Sequence, residues 1–256
     1  MKNTIFDLSG RAALVTGGSR GLGKAIARAL AQAGADVIIA SRQEKDLARA
    51  AEEIRGDLGV RVECAVADLA RRDQVQQLAH TALGKLGKID ILFANAGDNR
   101  PQPIDEVRDE DWDRLLELNV SGCMALTRAL VPGMKSRRWG RIVYTSSVMA
   151  LGSKEGRSAY SASKAALLGL ARAAALDLGP FGITVNCIAP GPFATELPMS
   201  ILSPEEQEAF ARRTALGRWG QPDELAGPAL LLASDAGSYI TGAVLVVDGG
   251  ILCRVL

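Results

Sequence analysis

Histidine is nearly absent from this 256-residue chain, in which His80 is the only one, and the four cysteines are far apart. Cys64, Cys123, Cys187 and Cys253 form no C-x-x-C pair, so we expect neither a zinc knuckle nor a redox dithiol, and mostly buried, reduced thiols. A single histidine argues against histidine-based triads and multi-histidine metal sites. His80 lies in a helical pattern and is expected at the surface. The sequence therefore predicts no metal site.

Excess charge and long apolar runs are also missing. Lys and Arg number 30 against 29 Asp and Glu, a net charge of +1, which provides no basic surface for the phosphate backbone of a nucleic acid. No apolar run reaches the ~20 residues that cross a bilayer, and Met1–Gly10 lack the apolar core of a signal peptide. We therefore expect no nucleic-acid partner, no membrane partner and a cytoplasmic location.

Apolar residues are plentiful, at 48% of the chain against 23% charged residues, as in an ordinary globular protein. Short β-branched runs alternate with longer helical patterns, which is typical of βαβ units and of a parallel sheet with helices on both faces. The sequence thus predicts an α/β fold, a Rossmann-type doubly wound parallel sheet of about seven strands. The predicted strands span residues 12–16, 36–40, 61–66, 89–94, 141–146, 183–189 and 244–248.

No linker or repeat interrupts this alternation, so we predict a single domain over residues 1–256. Residues 108–137 are predicted to form a helix that Pro132 bends or ends, and residues 157–178 a second helix. Residues 191–220 are too many for an ordinary connection in a compact domain. Such a segment is either a lid over a site or an excursion that packs against a neighbouring subunit.

A glycine-rich turn follows the first predicted strand and opens a helix. Its spacing, Gly17-x-x-x-Gly21-x-Gly23, is a variant of the dinucleotide-binding turn, whose backbone N–H groups approach a pyrophosphate at the positive end of the helix dipole. Glycines also end strands and cap helices for steric reasons alone. Two further polar stretches, residues 68–69 and 95–97, follow later strands at the edge where ligands of open parallel sheets bind, and favour the functional interpretation.

Tyr160 and Lys164 are four residues apart and share one face of the second predicted helix. A phenol titrates near ~10, so it acts as a base at neutral pH only when a nearby cation stabilises the phenolate. Ser147 lies just past the fifth strand, where its hydroxyl can orient a carbonyl oxygen, and Ser146 is the competing assignment. The alternative interpretation is a tyrosine and a lysine stem that cover one another on a helix surface.

Together these motifs resemble the short-chain dehydrogenase/reductase family along essentially the whole chain. They run in order from TGGSRGLG through DL, NAG, LNV, SS and YSASK to PGPFATE and VDGG. The resemblance implies a catalytic tetrad of Asn119, Ser147, Tyr160 and Lys164, in which Asn119 holds a water-linked proton relay through a helix irregularity. It also implies reversible hydride transfer between a nicotinamide and a ketone or secondary alcohol, with Tyr160 exchanging the proton.

The second strand is predicted to decide between NADP(H) and NAD(H). An NAD site commonly carries Asp or Glu about 20 residues past the glycine turn, whereas this chain has Ser41 and Arg42, and Asp36 lies at the other end of the strand. Arg42 and Arg20 can hold a 2′-phosphate, so we expect NADP(H) to be preferred and NAD(H) to be possible. Motifs and resemblance together predict a cofactor site of Gly17, Ser19, Arg20, Gly21, Leu22, Gly23, Ser41, Arg42, Asp68, Leu69, Asn95, Ala96, Gly97, Tyr160, Lys164, Pro190, Gly191 and Thr195.

The predicted substrate pocket is lined by residues 98–101, 148–154 and 193–199. Arg100 and Lys154 can hold an acidic substrate such as a keto-sugar acid, unless both are solvated loop residues. Residues 218–220 and 248–255 resemble gluconate 5-dehydrogenases, which favours a keto-sugar acid or a polyol. In the family resemblance, residues 191–220 are the substrate lid.

Two other functions remain open. The first is a 3-oxoacyl-acyl carrier protein reductase, for which Arg137 and Arg138 offer a basic patch, although Phe181 stands where such enzymes often carry another arginine. The second is a regulator that binds the cofactor without chemistry, since folds do not dictate function. The helix over residues 157–178 is apolar nearly all round, which with the resemblance predicts a homotetramer.

Overall fold

Seven short strands lie side by side in the computed structural model, which describes residues 4–253. All neighbours pair in parallel, in the order β3-β2-β1-β4-β5-β6-β7. The predicted seven-stranded parallel sheet is therefore confirmed, with strand ends within two residues of the predicted ones. The strands are β1 (Ala12–Thr16), β2 (Asp36–Ser41), β3 (Val62–Val66), β4 (Ile91–Ala94), β5 (Gly140–Thr145), β6 (Ile183–Pro190) and β7 (Val244–Val247).

Alternate side chains of each central strand enter different cores. In β1, Leu14 joins the cluster with α3, α5 and α6, whereas Val15 joins the cluster with α1, α2 and α9. This period of two is what a sheet buried on both faces requires. The helices are α1 (Gly21–Gln32), α2 (Glu44–Arg55), α3 (Arg72–Leu86), α4 (Asp109–Leu116), α5 (Gly122–Arg137), α6 (Ser158–Leu178), α7 (Glu196–Ile201), α8 (Pro204–Arg213) and α9 (Ala226–Ala233).

The strand order reverses between β1 and β4, which lie next to one another although two strands separate them in sequence. Helices leave the two halves of the sheet on opposite faces, so a crevice opens at the carboxyl ends of these strands, where open α/β sheets bind ligands. The buried hydroxyl of Thr16, at the end of β1, accepts the backbone N–H of Asn95 and of Ala96, each at 3.0 Å. These two bonds join the strand ends at the crevice.

Pro132 does not end its helix, because α5 continues past it to Arg137. Pro132 is exposed, so the backbone carbonyl that its missing N–H leaves unpaired can be hydrated. The irregularity lies earlier, where a π-helical segment, Glu117–Ser121, separates α4 from α5. Such single-turn π segments occur mostly at functional sites.

His80 is exposed on α3, as predicted, and the cysteines are free thiols. Burial raises the pKa of Cys123 to about 11 and that of Cys187 to about 12, so neither is a thiolate nucleophile at neutral pH. Cys253 is exposed, unlike the expected buried thiol, because it belongs to a short terminal turn. Within residues 4–253, no helix is long and apolar enough to span a membrane.

Candidate active site

The glycine turn after β1 requires glycine for two different reasons. Gly17 and Gly21 have φ of +65° and +53°, in the left-handed region where side chains are strained. Gly23 faces the turn so closely that a Cβ there would lie 2.2 Å from the carbonyl oxygen of Gly17. Gly17 also donates its N–H to Ala40 at the end of β2, at 2.7 Å. The turn is therefore closed and fixed against the sheet.

The amino end of α1 is open to an anion. The helix begins at Gly21, its N-cap Arg20 is extended, and no side chain caps the first N–H groups. The first turn carries no acidic residue, so the helix dipole meets no internal negative charge. Ser19 is buried in the turn, and Leu22 packs against the sheet. This is the environment that a pyrophosphate needs.

The end of β2 has polar groups without partners, as an NADP(H) site requires. Ser41 Oγ is buried and has no hydrogen-bond partner. The guanidinium groups of Arg42 and Arg20 make no ion pair or hydrogen bond within the described part of the chain, and both residues are exposed. Asp36 begins β2 at the opposite edge of the sheet and pairs with Arg61 at 2.7 Å. No carboxylate of β2 therefore faces the cofactor edge.

The ends of β3 and β4 supply the next predicted residues. Asp68 is half-buried and accepts the Ala70 N–H at 3.0 Å, while Leu69 is buried. Asn95 donates its side-chain amide to the carbonyl of Thr16 at 3.0 Å, which fixes the loop that follows β4. Asp68 and Asn95 thus lie in loops at the edge of the crevice. Hydrogen bonds made by their own side chains hold these loops in place.

Gly97 lies at the centre of the site. A Cβ at this position would be 3.1 Å from Asn119 Oδ1 and 3.2 Å from Lys164 Nζ. The loop after β4, the π segment and α6 therefore converge at one glycine. A side chain at this position would have to displace the asparagine amide or the lysine ammonium by a few tenths of an ångström.

Lys164 is buried, and its ammonium group donates to the backbone carbonyl of Thr145 at 2.8 Å. The same Nζ lies 5.7 Å from the centre of the Tyr160 ring. The Tyr160 hydroxyl makes no hydrogen bond to any of the residues described, and the side chain is half-buried. The structure thus brings the predicted phenol and ammonium together and leaves the phenol free for a ligand.

Asn119 lies in the π segment and is almost fully buried. Its side chain donates to the Asp98 carbonyl at 3.1 Å and to Ser163 Oγ at 3.0 Å, and it accepts the Asp98 N–H at 3.0 Å. Through these bonds it joins α6 to the loop that follows β4. The helix irregularity that the family resemblance implied at this residue is therefore present.

The two serines after β5 have different hydrogen-bonding states. Ser146 Oγ is buried and donates to the Lys164 carbonyl at 2.9 Å, so its proton is committed. Ser147 Oγ accepts the Met149 N–H at 3.1 Å, which leaves its own O–H available. Only Ser147 can donate to a substrate oxygen without breaking a bond of the fold.

Residues after β6 meet the glycine turn from the other side. Gly191 has no room for a side chain, because a Cβ would lie 2.7 Å from the backbone of Asp248. Thr195 packs over the amino end of α1, with its methyl group 3.3 Å from where a Gly21 Cβ would be. The segment 191–220 carries α7 and α8, and a bridge between Phe193 and Gly220 closes its ends.

One of the predicted substrate contacts has a partner within the fold, and sequence analysis missed one nearby cation. Arg100 forms an ion pair with the buried carboxylate of Asp111, which offsets its charge. Arg108 and Gln102 bind the same carboxylate, at 2.6 and 3.1 Å. The residue that was missed is Arg157, which is half-buried at the start of α6. No sequence signal distinguishes Arg157 from an ordinary helix-start arginine.

No group of three or more His, Cys, Asp or Glu side chains in residues 4–253 could hold a metal ion. Of the 248–255 stretch that resembles gluconate 5-dehydrogenases, residues 254 and 255 lie outside the described residues. Residues 1–3, which belong to the stretch searched for a signal peptide, lie outside them too.

Comparison with known proteins gives consistent matches over nearly the whole chain. The family described as enoyl-(acyl carrier protein) reductase matches residues 17–252. Gluconate 5-dehydrogenase from Gluconobacter oxydans is 39% identical over 248 residues, covering 96% of each chain. A 3-oxoacyl-[acyl-carrier-protein] reductase from Thermotoga maritima is 37% identical over 246 residues, which are 96% of this chain and 99% of the relative.

A solved structure matches at the level of the complete fold. A gluconate 5-dehydrogenase from Burkholderia cenocepacia, in complex with NADP and tartrate, superposes with a TM-score of 0.92 at 37% identity. The superposition covers 98% of this chain and 99% of that one.

The close approach at Gly23 predicts a stability difference between two helical glycines. Gly23→Ala is expected to destabilise the fold by about 1–3 kcal/mol, because the methyl group meets a fixed backbone carbonyl. The matched control Gly84→Ala meets nothing within 4 Å on α3 and should gain up to about 1 kcal/mol from helix propensity. Urea unfolding measures both, and equal midpoints for the two variants would contradict the prediction.

Proposed function

Because this chain belongs to the short-chain dehydrogenase/reductase family, we propose that it is an NADP(H)-preferring member that interconverts a ketone and a secondary alcohol. The observation that carries the proposal is the convergence of Tyr160, Lys164 and Asn119 beside Gly97, next to an uncapped helix end. Oxidoreductase activity on a CH–OH group or carbonyl is common to the relatives. The residues present fit a nicotinamide cofactor.

The glycine turn and the amino end of α1 would hold the pyrophosphate, and the loops after β3, β4 and β6 would hold the adenine, the ribose and the nicotinamide end. When bound, the nicotinamide donates or accepts a hydride. The hydride chemistry belongs to the cofactor, and the protein supplies position, charge and the proton.

Tyr160 exchanges the proton. During reduction its free hydroxyl protonates the substrate oxygen, and during oxidation the phenolate takes the proton back. The Lys164 ammonium stabilises that phenolate, because a cation 5.7 Å from the ring favours the charged form. Ser147 donates its uncommitted O–H to the same substrate oxygen. Asn119, at the π segment, holds the water link that resupplies the proton.

The preferred substrate in this proposal is a small hydroxy or keto compound, either a sugar acid or a polyol. One relative is named gluconate 5-dehydrogenase, and the matching Burkholderia structure holds tartrate, a hydroxy acid. Residues 191–220 would act as the lid, since Thr195 already contacts the glycine turn. We place the enzyme in the cytoplasm as one catalytic domain.

Carrier-protein reduction is the second candidate, favoured by the identity to the Thermotoga enzyme. The basic residues considered for carrier docking do not support it. Arg137 binds buried Asp90 at 3.0 Å, and Arg138 donates to the Pro180 carbonyl at 3.0 Å. Arg137 ends α5 and Arg138 follows it, just before β5 and at the edge of the sheet opposite the site. A non-catalytic regulator is disfavoured because all four members of the proposed tetrad are present.

A substrate panel tests the proposal directly. Sugar acids, polyols, steroids and short 3-oxoacyl thioesters are supplied with each cofactor, and absorbance of the reduced nicotinamide is followed. Turnover of acyl thioesters alone would favour the carrier-protein reductase, and turnover of nothing would favour the regulator.

Removal of the phenol proton is expected to abolish turnover while cofactor binding is retained. Tyr160→Phe should lower kcat by about 10²- to 10⁴-fold or more, since general acid–base catalysis usually contributes a factor of this size. Lys164→Met should weaken both turnover and cofactor binding. Steady-state kinetics and fluorescence titration with NADPH measure the two effects separately. Full activity of the Phe variant would show that another group carries the proton.

The end of β2 predicts how cofactor preference changes. In the double variant Ser41→Asp, Arg42→Leu, kcat/KM should move from NADP(H) toward NAD(H) by roughly ten- to hundredfold, because the cationic partner of the 2′-phosphate is lost and a repelling carboxylate is added beside it. Arg49→Leu, on the exposed side of α2, is the control and should change neither value. A parent enzyme that already uses NAD(H) better would refute the role of Arg42.

We also propose that the protein is a homotetramer, on the evidence of α6. One side of this helix packs on the sheet, while the other exposes small and apolar residues, with Leu176 81% exposed. Such a face is usually covered by symmetric self-association. The exposed small residues are Ala162, Ala165, Ala166, Gly169 and Ala173.

Light scattering at micromolar concentration should therefore give four times the 26.9 kDa of one subunit. Leu176→Glu should reduce this mass, because a charge would be buried in the contact. Leu58→Glu, in an exposed turn away from α6, should leave it unchanged. A monomer mass for the parent protein would refute the assembly.

A further inference from the structure

Three cations surround the entrance to the proposed active site. Arg157 is the N-cap of α6, Lys154 lies in the loop before it, and Arg213 is the last residue of α8. In the described part of the chain none of their charged groups has an ion pair or a hydrogen bond. We call these three residues the entrance cations.

Contacts across the entrance hold these residues close together. Lys154 Nζ lies 5.0 Å above the ring of Phe210, which is one helical turn before Arg213 on α8. Burial lowers the pKa of Lys154, and the positive charges of Arg157 and Arg213 lower it further. The loop before α6 and the lid helix therefore bring their positive charges to one place.

Arg157 is also near the reacting centre. It is the N-cap of α6, three residues before Tyr160. Burial lowers the pKa of Arg157, while the charge of the Tyr160 phenolate opposes that shift. A half-buried guanidinium with no partner is unfavourable unless an anion binds it.

The neighbouring carboxylates offset only part of the charge of the entrance cations. Glu155 and Glu206 both raise the pKa of Lys154, so their charges act on it. Glu206 also accepts the Ser203 N–H at 2.8 Å in the capping box of α8. Glu155 is exposed and forms no ion pair in residues 4–253. Two carboxylates near three cations leave positive charge in excess at the entrance.

We propose that the entrance cations bind the carboxylate of the substrate, with Arg157 as the principal specificity-determining residue. This inference rests on the proposed function, because it assigns the substrate class of the same site, a hydroxy or keto carboxylic acid. Arg157 is the N-cap of α6 and Tyr160 is the third residue of that helix, so a carboxylate held by Arg157 lies beside the group that exchanges the proton. The planar guanidinium suits a carboxylate because it donates two parallel hydrogen bonds.

The test compares two ligands that differ only in the acid group, gluconate and glucitol. The enzyme with bound NADP⁺ is titrated with each by calorimetry, and turnover is measured in parallel. Arg157→Gln should weaken gluconate binding and raise its KM roughly ten- to hundredfold, the usual effect of losing a charged hydrogen bond. Arg157→Lys should recover part of the loss, because the charge remains. Binding and turnover of glucitol should be the same in all variants.

Arg49→Gln, at an exposed arginine of α2, is the matched control and should leave the binding of both ligands unchanged. Gluconate binding to the parent no tighter than glucitol, or equal losses for both ligands in Arg157→Gln, would overturn the inference. If neutral ketones are reduced while acids do not bind, the proposed function stands and this inference falls. If gluconate binds through Arg157 but no compound of the panel reacts, this inference stands and the proposed function falls.

Discussion

Two hydrogen bonds to one buried hydroxyl determine where the rest of the site can form. Thr16 Oγ1 accepts the N–H groups of Asn95 and Ala96, and Asn95 returns a side-chain N–H to the carbonyl of Thr16. These bonds fix the carboxyl ends of β1 and β4 together at the reversal of strand order. The glycine turn starts at the end of β1, and the loop to Gly97 starts at the end of β4. The anion site and the catalytic groups therefore have a common support.

The catalytic groups converge because the backbone comes unusually close around a buried cation. Lys164 is held by the Thr145 carbonyl, Gly97 approaches its ammonium group, and the π segment turns Asn119 toward the same place. A buried ammonium is costly without partners, and the carbonyl of Thr145 satisfies only one of its three donors. The remaining donors make Lys164 suited to stabilise a phenolate or a ribose hydroxyl.

The sequence predicted what depends on neighbouring residues along the chain. Strand alternation, the spacing of Gly17, Gly21 and Gly23, and the Tyr160–Lys164 pair are local patterns, and the structure places all of them as expected on the sheet and on α6. Contacts between distant segments were not predictable from such patterns. Nothing near Arg100 in sequence shows that it pairs with Asp111, since the pair depends on how the loop after β4 folds back on α4.

Pro132 and the pair Ser146 and Ser147 also show that residue type alone does not determine what a position does. Pro132 is tolerated inside α5 because it is exposed, a property that depends on packing rather than on the residue. Ser146 and Ser147 are chemically identical, and only the Lys164 carbonyl beside the first one separates their roles. Residue type set the candidates, and tertiary contacts decided between them.

The charge of the protein becomes informative only when the residues that form ion pairs within the fold are set aside. A net charge of +1 excludes a broad basic surface, yet ion pairs use up carboxylates such as Asp90 and Asp111 in the fold. Cations are thereby left unpaired in two places, beside the glycine turn and at the entrance over α6. Unpaired cations attract ligands of opposite charge, and the half-buried Arg157 gains most from one because burial has removed part of its hydration. A cofactor phosphate and a substrate carboxylate are two such ligands, at opposite ends of one crevice.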